Sequence, residues 1–295
     1  MLGYVLLVVL GLLVLAVVTA VVLNVVGWIR WRGVTADRNR RLEDAAGAPD
    51  AGPAAAPGPP AGAPAEDLPE PVRRYLQLVL PPEHAGSPAP ARVTMVHHGT
   101  FNMSETEENW QPFTARQYVT PKRPGFLWDA RMGMGPGISA RVHDAYIAGG
   151  GLLHVTLFGL FTVARMEDRV EMARGELLRF LAEAPWYPQI LGSGSPNLRW
   201  EPRDAQSARV FLSDGEVEAA MTFFFGEDGL IARVHADARG RTVAGTIVQT
   251  PWEGSWWDYR RFDDVLVPTE GEVRWLADSG EHPYWRGSVS SIRFG

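Results

Sequence analysis

The chain has 295 residues, no cysteine, and 28 basic against 34 acidic side chains, which give a formal net charge of -6. The absence of cysteine excludes disulfide bonds, a thiolate nucleophile, thiolate metal sites and an acylated-cysteine anchor. The negative balance argues against nucleic-acid binding, because such binding needs a basic face that displaces counterions from phosphates. We therefore expect no nucleic-acid partner.

The first 29 residues have the composition of a membrane helix. Leu2 to Ile29 carry no charge, and Asn24 is their one strongly polar side chain. At 1.5 Å per residue, such a helix exceeds the roughly 30 Å thickness of the bilayer hydrocarbon. A signal peptide cleaved near Ala20 is the alternative, but the basic start is missing and the apolar run continues past that residue. The sequence predicts a retained transmembrane anchor over 1–29, with the bilayer as partner of Leu2–Ile29.

Residues 30–67 form a basic juxtamembrane segment followed by a linker. No Lys or Arg precedes the apolar run, whereas five arginines follow it closely: Arg30, Arg32, Arg38, Arg40 and Arg41. The positive-inside rule predicts a single-pass protein of the cell membrane with its carboxy-terminal domain in the cytoplasm. From Ala45 to Ala65 the composition is almost entirely Ala, Gly and Pro, which predicts a disordered tether.

Residues 68–295 are long enough for one domain with its own core. A first helix is predicted to begin near Pro69 and to end before Pro81, with one apolar stripe formed by Val72, Tyr75, Leu76 and Val79. A second helix is predicted from Val170 to Ala184. On it, Glu176, Arg179 and Glu183 have the spacing of surface ion pairs.

Alternation of apolar and polar residues predicts that strands make up the rest of this domain. They are expected near 92–101, 113–120, 126–132, 139–147, 152–158, 217–225, 230–238, 241–249, 256–262, 265–276 and 284–294. Asp214-Gly215 and Asp228-Gly229 lie at tight hairpin joints. The fold class predicted is α+β: a strongly curved antiparallel sheet with a few helices on one face.

Six sequence runs carry a specific resemblance that covers nearly all of 68–295. They are Trp110–Ala115, Pro124–Arg131, Gly175–Ala184, Thr250–Gly254, Val267–Val273 and Pro283–Gly287. These runs resemble an uncharacterised bacterial family of membrane-anchored proteins, known only as a domain of unknown function. The resemblance implies no activity and no catalytic residues.

A looser resemblance concerns the rhythm of the strands. The runs Thr120–Trp128 and Asp144–Ile147, together with Tyr259 and Asp264–Pro268, are similar to LolA-like lipoprotein carriers. That superfamily folds as a half-barrel around an apolar cavity, so the resemblance implies a lipid or lipoprotein ligand. Most of its members act outside the cytoplasm, which makes an extracytoplasmic domain the alternative to the arginine count.

Aromatic residues are the candidate ligand contacts, because large amphipathic rings suit an apolar cavity. The candidates are Trp128, Tyr146, Trp252, Trp256, Trp257, Tyr259, Trp275 and Trp285. The alternative is that these rings simply pack a curved sheet. Trp256 and Trp257 are neighbours on a strand, so at most one of them can line a given cavity.

Carboxylates of the Trp-rich region give a second hypothesis, a hydrolase-type enzyme. Glu270 and Glu272 share a strand face about 7 Å apart, a distance that suits acid and base catalysis, although a solvated outer face explains it equally. Glu253 and Asp258, with Arg286 as a cation, complete this set. No histidine pattern, including His97-His98 and His143-Asp144, matches a metal or nucleophile motif, so we expect no cofactor.

Together these features favour a membrane-tethered, non-catalytic binding module. Its ligand would be a lipid, another hydrophobic small molecule, or an acylated protein. A protein-interaction or envelope-sensing domain is the third hypothesis, and a large exposed apolar patch would be its sign.

Overall fold

The computed structural model describes residues 1–48, 68–81, 89–104, 107–167, 169–192, 195, 197–243 and 245–295. Residues 49–65 of the predicted tether lie outside the described residues. Helices are α1 Leu2–Gly47, α2 Glu70–Val79 and α3 Val170–Ala182, and two short 3₁₀ turns follow at Ala184–Trp186 and Pro188–Leu191. Strands β1 to β6 are Val93–Asn102, Trp110–Val119, Phe126–Gly135, Ile138–Ile147, Gly150–Leu157 and Phe161–Glu167. Strands β7 to β13 are Leu198–Asp204, Ser207–Asp214, Val217–Phe225, Ile231–Val243, Thr246–Phe262, Val265–Ala277 and Gly280–Phe294.

All the strands just named form one antiparallel sheet in the order β6-β5-β4-β3-β2-β1-β13-β12-β11-β10-β9-β8-β7. Pairing of β1 with β13 joins two meanders, and Phe101 lies opposite Trp285. Because neighbouring strands are antiparallel, the turns after β1, β3, β5, β8, β10 and β12 all lie at one end of the sheet. We call this end the proximal rim, and the opposite end the distal rim.

The sheet curls around α3. This helix contacts β4 and β5 as well as β9 and β10. In the strand order, β5 and β9 are nine steps apart, which would place them about 43 Å from each other in a flat sheet. A helix of roughly 10–12 Å diameter can touch both only if the sheet closes around it. The predicted strongly curved antiparallel sheet, a half-barrel, is therefore confirmed.

The middle of the concave face is a packed core rather than an open lumen. Trp186, in the first 3₁₀ turn, is buried against Trp256 and Trp285, with ring centroids 4.8 and 6.3 Å away. Its indole N–H donates to the carbonyl of Pro268 at 3.0 Å. This arrangement fills the middle of the half-barrel with side chains.

One predicted strand is a hairpin instead. Residues 241–249 alternate like a single strand, but β10 ends at Val243 and β11 begins at Thr246. Gly245 adopts a φ of 83°, in the left-handed region that suits a tight turn. The strand predicted at 256–262 is the last part of β11. Strands β6, β7 and β8 were not predicted. Strand β6 is an exposed edge strand without a buried alternate face, whereas β8 does alternate between buried and partly buried residues.

Helix α1 does not end where its apolar segment ends. It continues through the basic residues to Gly47 and runs along the convex side of β3 and β4. Its docked face is formed by Gly27, Trp31, Thr35, Arg38 and Leu42, which recur every three or four residues and are all buried. The helix thus connects the apolar segment rigidly to the sheet.

Candidate functional site

The first notable site is the junction between α1 and the convex face of the sheet. The indole N–H of Trp31 donates to Oδ1 of Asp129 at 2.7 Å, and the hydroxyl of Thr35 donates to Oδ2 at 3.1 Å. The ring of Trp31 stacks on His143, with centroids 4.0 Å apart. Every polar group that α1 buries here therefore meets a partner on the sheet.

The guanidinium of Arg38 donates hydrogen bonds to two histidines of the sheet. It contacts Nδ1 of His143 and, at 3.1 Å, Nδ1 of His154. Burial lowers the pKa of His143 to about 2, and the positive charge of Arg38 adds to this effect. His143 therefore stays neutral and can accept from Arg38. The sequence showed no metal or nucleophile motif around His143, and the structure makes this residue part of the α1 junction.

The second site is a cleft on the concave side, at the proximal rim. It has a volume of about 640 Å³, within the range of small-molecule sites. The hairpins β1–β2, β10–β11 and β12–β13 surround it, and the amino-terminal half of α3 forms its floor. Its lining includes Phe101, Met103, Trp110, Asp144, Leu153, Met166, Arg169, Met172, Gly175, Glu176, Arg239, Arg241, Ile247, Trp275, His282, Pro283 and Tyr284.

One wall of the cleft is aromatic. Trp275 and Tyr284 stack with centroids 5.6 Å apart, and Phe101 meets Tyr284 edge-on, also at 5.6 Å. The indole N–H of Trp252 donates to the hydroxyl of Tyr284 at 2.8 Å. The guanidinium of Arg239 lies over the rings of both Trp252 and Trp275. Arg241 also lies over the ring of Trp275, so the wall is apolar in area and carries two arginines.

The floor of the cleft carries buried carboxyl groups. Glu176 is 5% exposed, and its Oε1 lies 4.0 Å from Arg239. Its Oε2 is buried without a hydrogen-bond partner, and the same holds for Oδ1 of Asp144. Burial raises the pKa of Glu176 to about 8, and nearby Asp144 adds to the rise. A protonated carboxyl at this depth can donate a hydrogen bond to the polar end of a ligand.

The raised pKa of Glu176 predicts a pH-dependent stability. The unfolded carboxyl ionises above pH 4.5 while the folded one keeps its proton, so stability falls as pH rises from there towards 8, by up to about 1.4 kcal/mol per pH unit. Glu176→Gln removes this loss. We expect the variant to gain thermal stability relative to wild type as pH is raised from 6 to 8. Thermal melts across this range test it, and an equal offset at every pH would contradict it.

The ion pairs predicted for the surface of α3 are not at the surface. Glu176 and Glu183 are 5% and 7% exposed, and the partly buried Arg179 lies between Asp144 and Glu183, at 2.6 and 2.8 Å. The reason is the curl of the sheet, which covers the polar side of α3 as well as its apolar side. The same curl places Glu176 in the lining of the cleft.

The predicted aromatic contacts fall into three groups. Trp275 lines the cleft. Trp252 does not line it, but its indole N–H donates a hydrogen bond to Tyr284, which does. Trp257 points outward and is 46% exposed. The remaining five lie away from the cleft, packed in or against the core: Trp128, Tyr146, Trp256, Tyr259 and Trp285. Their role in ligand binding stays a prediction.

The carboxylates of the enzyme hypothesis are held in ion pairs and hydrogen bonds on the sheet, and two of them, Glu253 and Glu272, share Arg274, at 3.8 and 2.9 Å. Glu253 pairs with Arg233 at 2.7 Å. Glu272 pairs with Arg274 and Arg286 at 2.9 and 2.7 Å. Asp258 and Glu270 accept hydrogen bonds from Thr269 and Ser288, at 2.8 and 2.7 Å. None of the four lines the cleft.

Sequence reasoning missed Glu176, Arg239 and Phe101 as cleft residues. The sequence around these residues gives little indication of a site. Arg239 precedes Gly240 in a run that alternates like a strand, and this pattern does not show which face of the sheet Arg239 occupies. Among the described residues, no group of three or more histidine, aspartate or glutamate side chains is arranged to hold a metal ion.

Comparison with solved structures finds distant likenesses. A LolA superfamily protein, NE2245 from Nitrosomonas europaea, is 7% identical over 76% of this chain and 92% of its own, with a TM-score of 0.39. A beta-barrel-like protein of domain of unknown function DUF1849 from Brucella abortus is 8% identical over 71% and 100%, with a TM-score of 0.22. A porin-like protein from Bacteroides uniformis is 9% identical over 70% and 98%, with a TM-score of 0.24.

Comparison with curated proteins finds no match. The profile of a family of unknown function, DUF6920, matches residues 66–294, which is the whole of the half-barrel domain with α2. The resemblance of the six sequence runs to an uncharacterised family is thereby confirmed. The chain belongs to the family of unknown function DUF6920.

Proposed function

We propose that this protein is a membrane-tethered, non-catalytic module that binds an amphipathic ligand with a long apolar chain and a polar head. The observation that carries the proposal is the proximal-rim cleft, which combines an aromatic wall with the buried carboxyl of Glu176 and the cation of Arg239. An apolar chain fits the wall, and a hydrogen-bonding head group fits the floor.

The anchor is supported by the exposure of α1. Its apolar part is long enough to cross a bilayer, and its most apolar stretch has no buried residue. So large an exposed apolar surface is unfavourable in water and is typical of a helix surrounded by lipid. We therefore assign Leu2–Ile29 to the membrane.

The position of the cleft fits this anchor. The turns after β3 and β5 contact α1 at Asn24 and Gly27, near the end of the apolar segment. The cleft lies between the turns after β1, β10 and β12, which share the proximal rim. Part of the cleft therefore lies on the rim that contacts α1, and its lining also extends to Leu153 of β5 and to Met166 near the distal end of β6.

Binding of a fluorescent long-chain fatty acid to the full-length chain in detergent micelles tests the proposal. Each methylene buried from water contributes about 0.8 kcal/mol, so we expect saturable binding whose affinity falls as the acyl chain of the probe is shortened. Competition by a lysophospholipid and by an acylated peptide distinguishes a free lipid from an acylated partner. Absence of saturable binding above that of empty micelles would contradict the proposed function.

We also propose that the domain lies in the cytoplasm, on the side of the juxtamembrane arginines. Because the chain has no cysteine, Gly295→Cys creates a unique label site at an exposed position. In intact cells a membrane-impermeant maleimide should leave this cysteine unlabelled, and it should label the cysteine fully after permeabilisation. Full labelling in intact cells would place the domain outside the cytoplasm.

A further inference from the structure

We propose that the proximal rim beside α1 is a second membrane contact, in which the β3–β4 and β5–β6 hairpin tips lie in the headgroup boundary of the bilayer. The tip residues are Met134 to Ile138 and Phe158 to Val163. The proposal rests on the proposed membrane role of α1 and goes beyond it. This second contact would hold the half-barrel at a fixed height above the bilayer and in a fixed orientation relative to it.

The tips reach alongside the apolar part of the helix. The side-chain amide of Asn24 donates to the carbonyl of Gly137 at 3.2 Å. At Gly27 the contact is closer still, because a Cβ there would lie 1.6 Å from the carbonyl oxygen of Phe158. The helix face that the tips partly cover begins at Ala20. Backbone of the half-barrel thus lies beside residues of the membrane segment.

The length of the apolar segment of α1 agrees with a position of the hairpin tips at the membrane boundary. Its 28 residues, Leu2 to Ile29, span about 42 Å as a helix, whereas roughly 20 residues cross the hydrocarbon. The surplus of about eight residues matches Val22 to Ile29, which includes the stretch that the tips flank. These last apolar turns are therefore placed at the membrane boundary rather than in its centre.

The tips expose apolar side chains at this level. Ile138 is 44% exposed, Phe161 is 56% exposed and Val163 is 59% exposed. On α1, Val26 and Trp28 flank the docked Gly27 and are exposed. Helix and tips together present one apolar surface, and since lipid is the proposed surrounding of the helix, lipid is the partner that fits the tips.

Arginines lie next to the apolar residues on α1, β3 and β4. Ile29 is followed by Arg30 on α1, and Ile138 by Arg141 on β4. Arg131 of β3 lies directly opposite Arg141 across the two strands. Like charges in opposite register repel each other, and an anionic head group relieves the repulsion. The order of apolar tip and basic band matches the order of acyl chain and phosphate in a bilayer.

Depth-dependent quenching in the full-length chain tests the proposal. Single cysteines replace Ile138, Phe161, Leu13 in the membrane segment, or Glu227 in the β9–β10 turn of the distal rim, and each carries an NBD label. Each variant is reconstituted into vesicles of phosphatidylcholine and phosphatidylglycerol, with brominated phosphatidylcholine as quencher. We expect quenching at Ile138 and Phe161 within about twofold of that at Leu13, and none at Glu227 above the aqueous background.

The four positions separate the possible failures. Quenching at Leu13 without quenching at Ile138 or Phe161 would overturn the tip contact and leave the anchor intact. Lack of quenching at Leu13 would overturn the anchor and the tip contact together. Equal quenching at Glu227 and at the tips would also overturn the proposal, because the half-barrel would then have no fixed orientation.

Discussion

Replacing Gly27 by leucine is expected to release α1 from the half-barrel. A Cβ at this position would lie 1.6 Å from the oxygen and 2.8 Å from the carbon of the Phe158 carbonyl. Both atoms belong to backbone, so no side-chain rotation relieves the clash. Overpacking of this kind costs typically 1–3 kcal/mol, and the strain falls on the contact that holds the helix against the β5–β6 turn.

The release can be measured at Ala145, which is fully buried under Leu42 on the convex face of β4. In an otherwise cysteine-free chain, Ala145→Cys reacts with maleimide only when α1 moves away. We expect Gly27→Leu to accelerate this reaction by roughly tenfold to a hundredfold, since each 1.4 kcal/mol changes the open population tenfold.

Gly33 provides a matched control. It lies on the same helix, but a Cβ there meets no atom within 4 Å, so Gly33→Leu should leave the labelling rate unchanged. Ala130→Cys, buried in the core on the opposite face, should stay protected in both variants and reports that the domain remains folded. Equal labelling rates in Gly27→Leu and Gly33→Leu would show that α1 is not held by this close approach.

Leucine at Gly175 is expected to abolish binding of an acyl ligand. Gly175 lies on the inner side of α3 in the lining of the cleft, and the nearest atom to a Cβ there is Nε of Arg239 at 3.9 Å. The backbone therefore accepts a side chain, and a branched one projects into the space proposed for the ligand. We expect the affinity for the fluorescent fatty acid to fall at least about tenfold, which corresponds to 1.4 kcal/mol.

Stability should move in the opposite direction. Glycine in a helix interior is about 0.8–1.0 kcal/mol less favourable than alanine, so Gly175→Ala should raise the melting temperature and retain binding. Gly175→Leu should be at least as stable as wild type while binding is lost. Unchanged fatty-acid affinity in the leucine variant would place the ligand elsewhere and would contradict the cleft as the binding site.

Much of the architecture could be predicted locally. Three features depend only on residues close to each other in the chain. They are the uncharged apolar run, the alternation in β9 and β10, and the Asp-Gly turns at Gly215 and Gly229. Both glycines have the positive φ that these hairpins need. The hairpin at Gly245 was not predicted, because the alternation of apolar and polar residues continues through it and no polar turn sequence interrupts that alternation.

The candidate site depended on distant partners. Glu176 has the local pattern of a solvent-facing residue, yet β4 and β10 bring Asp144 and Arg239 to it. Trp31 and Arg38 look like ordinary juxtamembrane residues, yet they reach Asp129 and His143, about a hundred positions later. No periodicity reports such contacts, since it describes only which side of an element a residue occupies.

The sequence by itself determined that the chain has an apolar helix, an antiparallel sheet rich in aromatic residues and no cysteine chemistry. Only the tertiary structure decided what the two faces of the sheet contact. Curling placed α3 inside the sheet, so its charged side became the floor of a cleft, and it left the convex face free for α1. The physical reason is that curvature arises from the pairing of all the strands together, and no single segment encodes it.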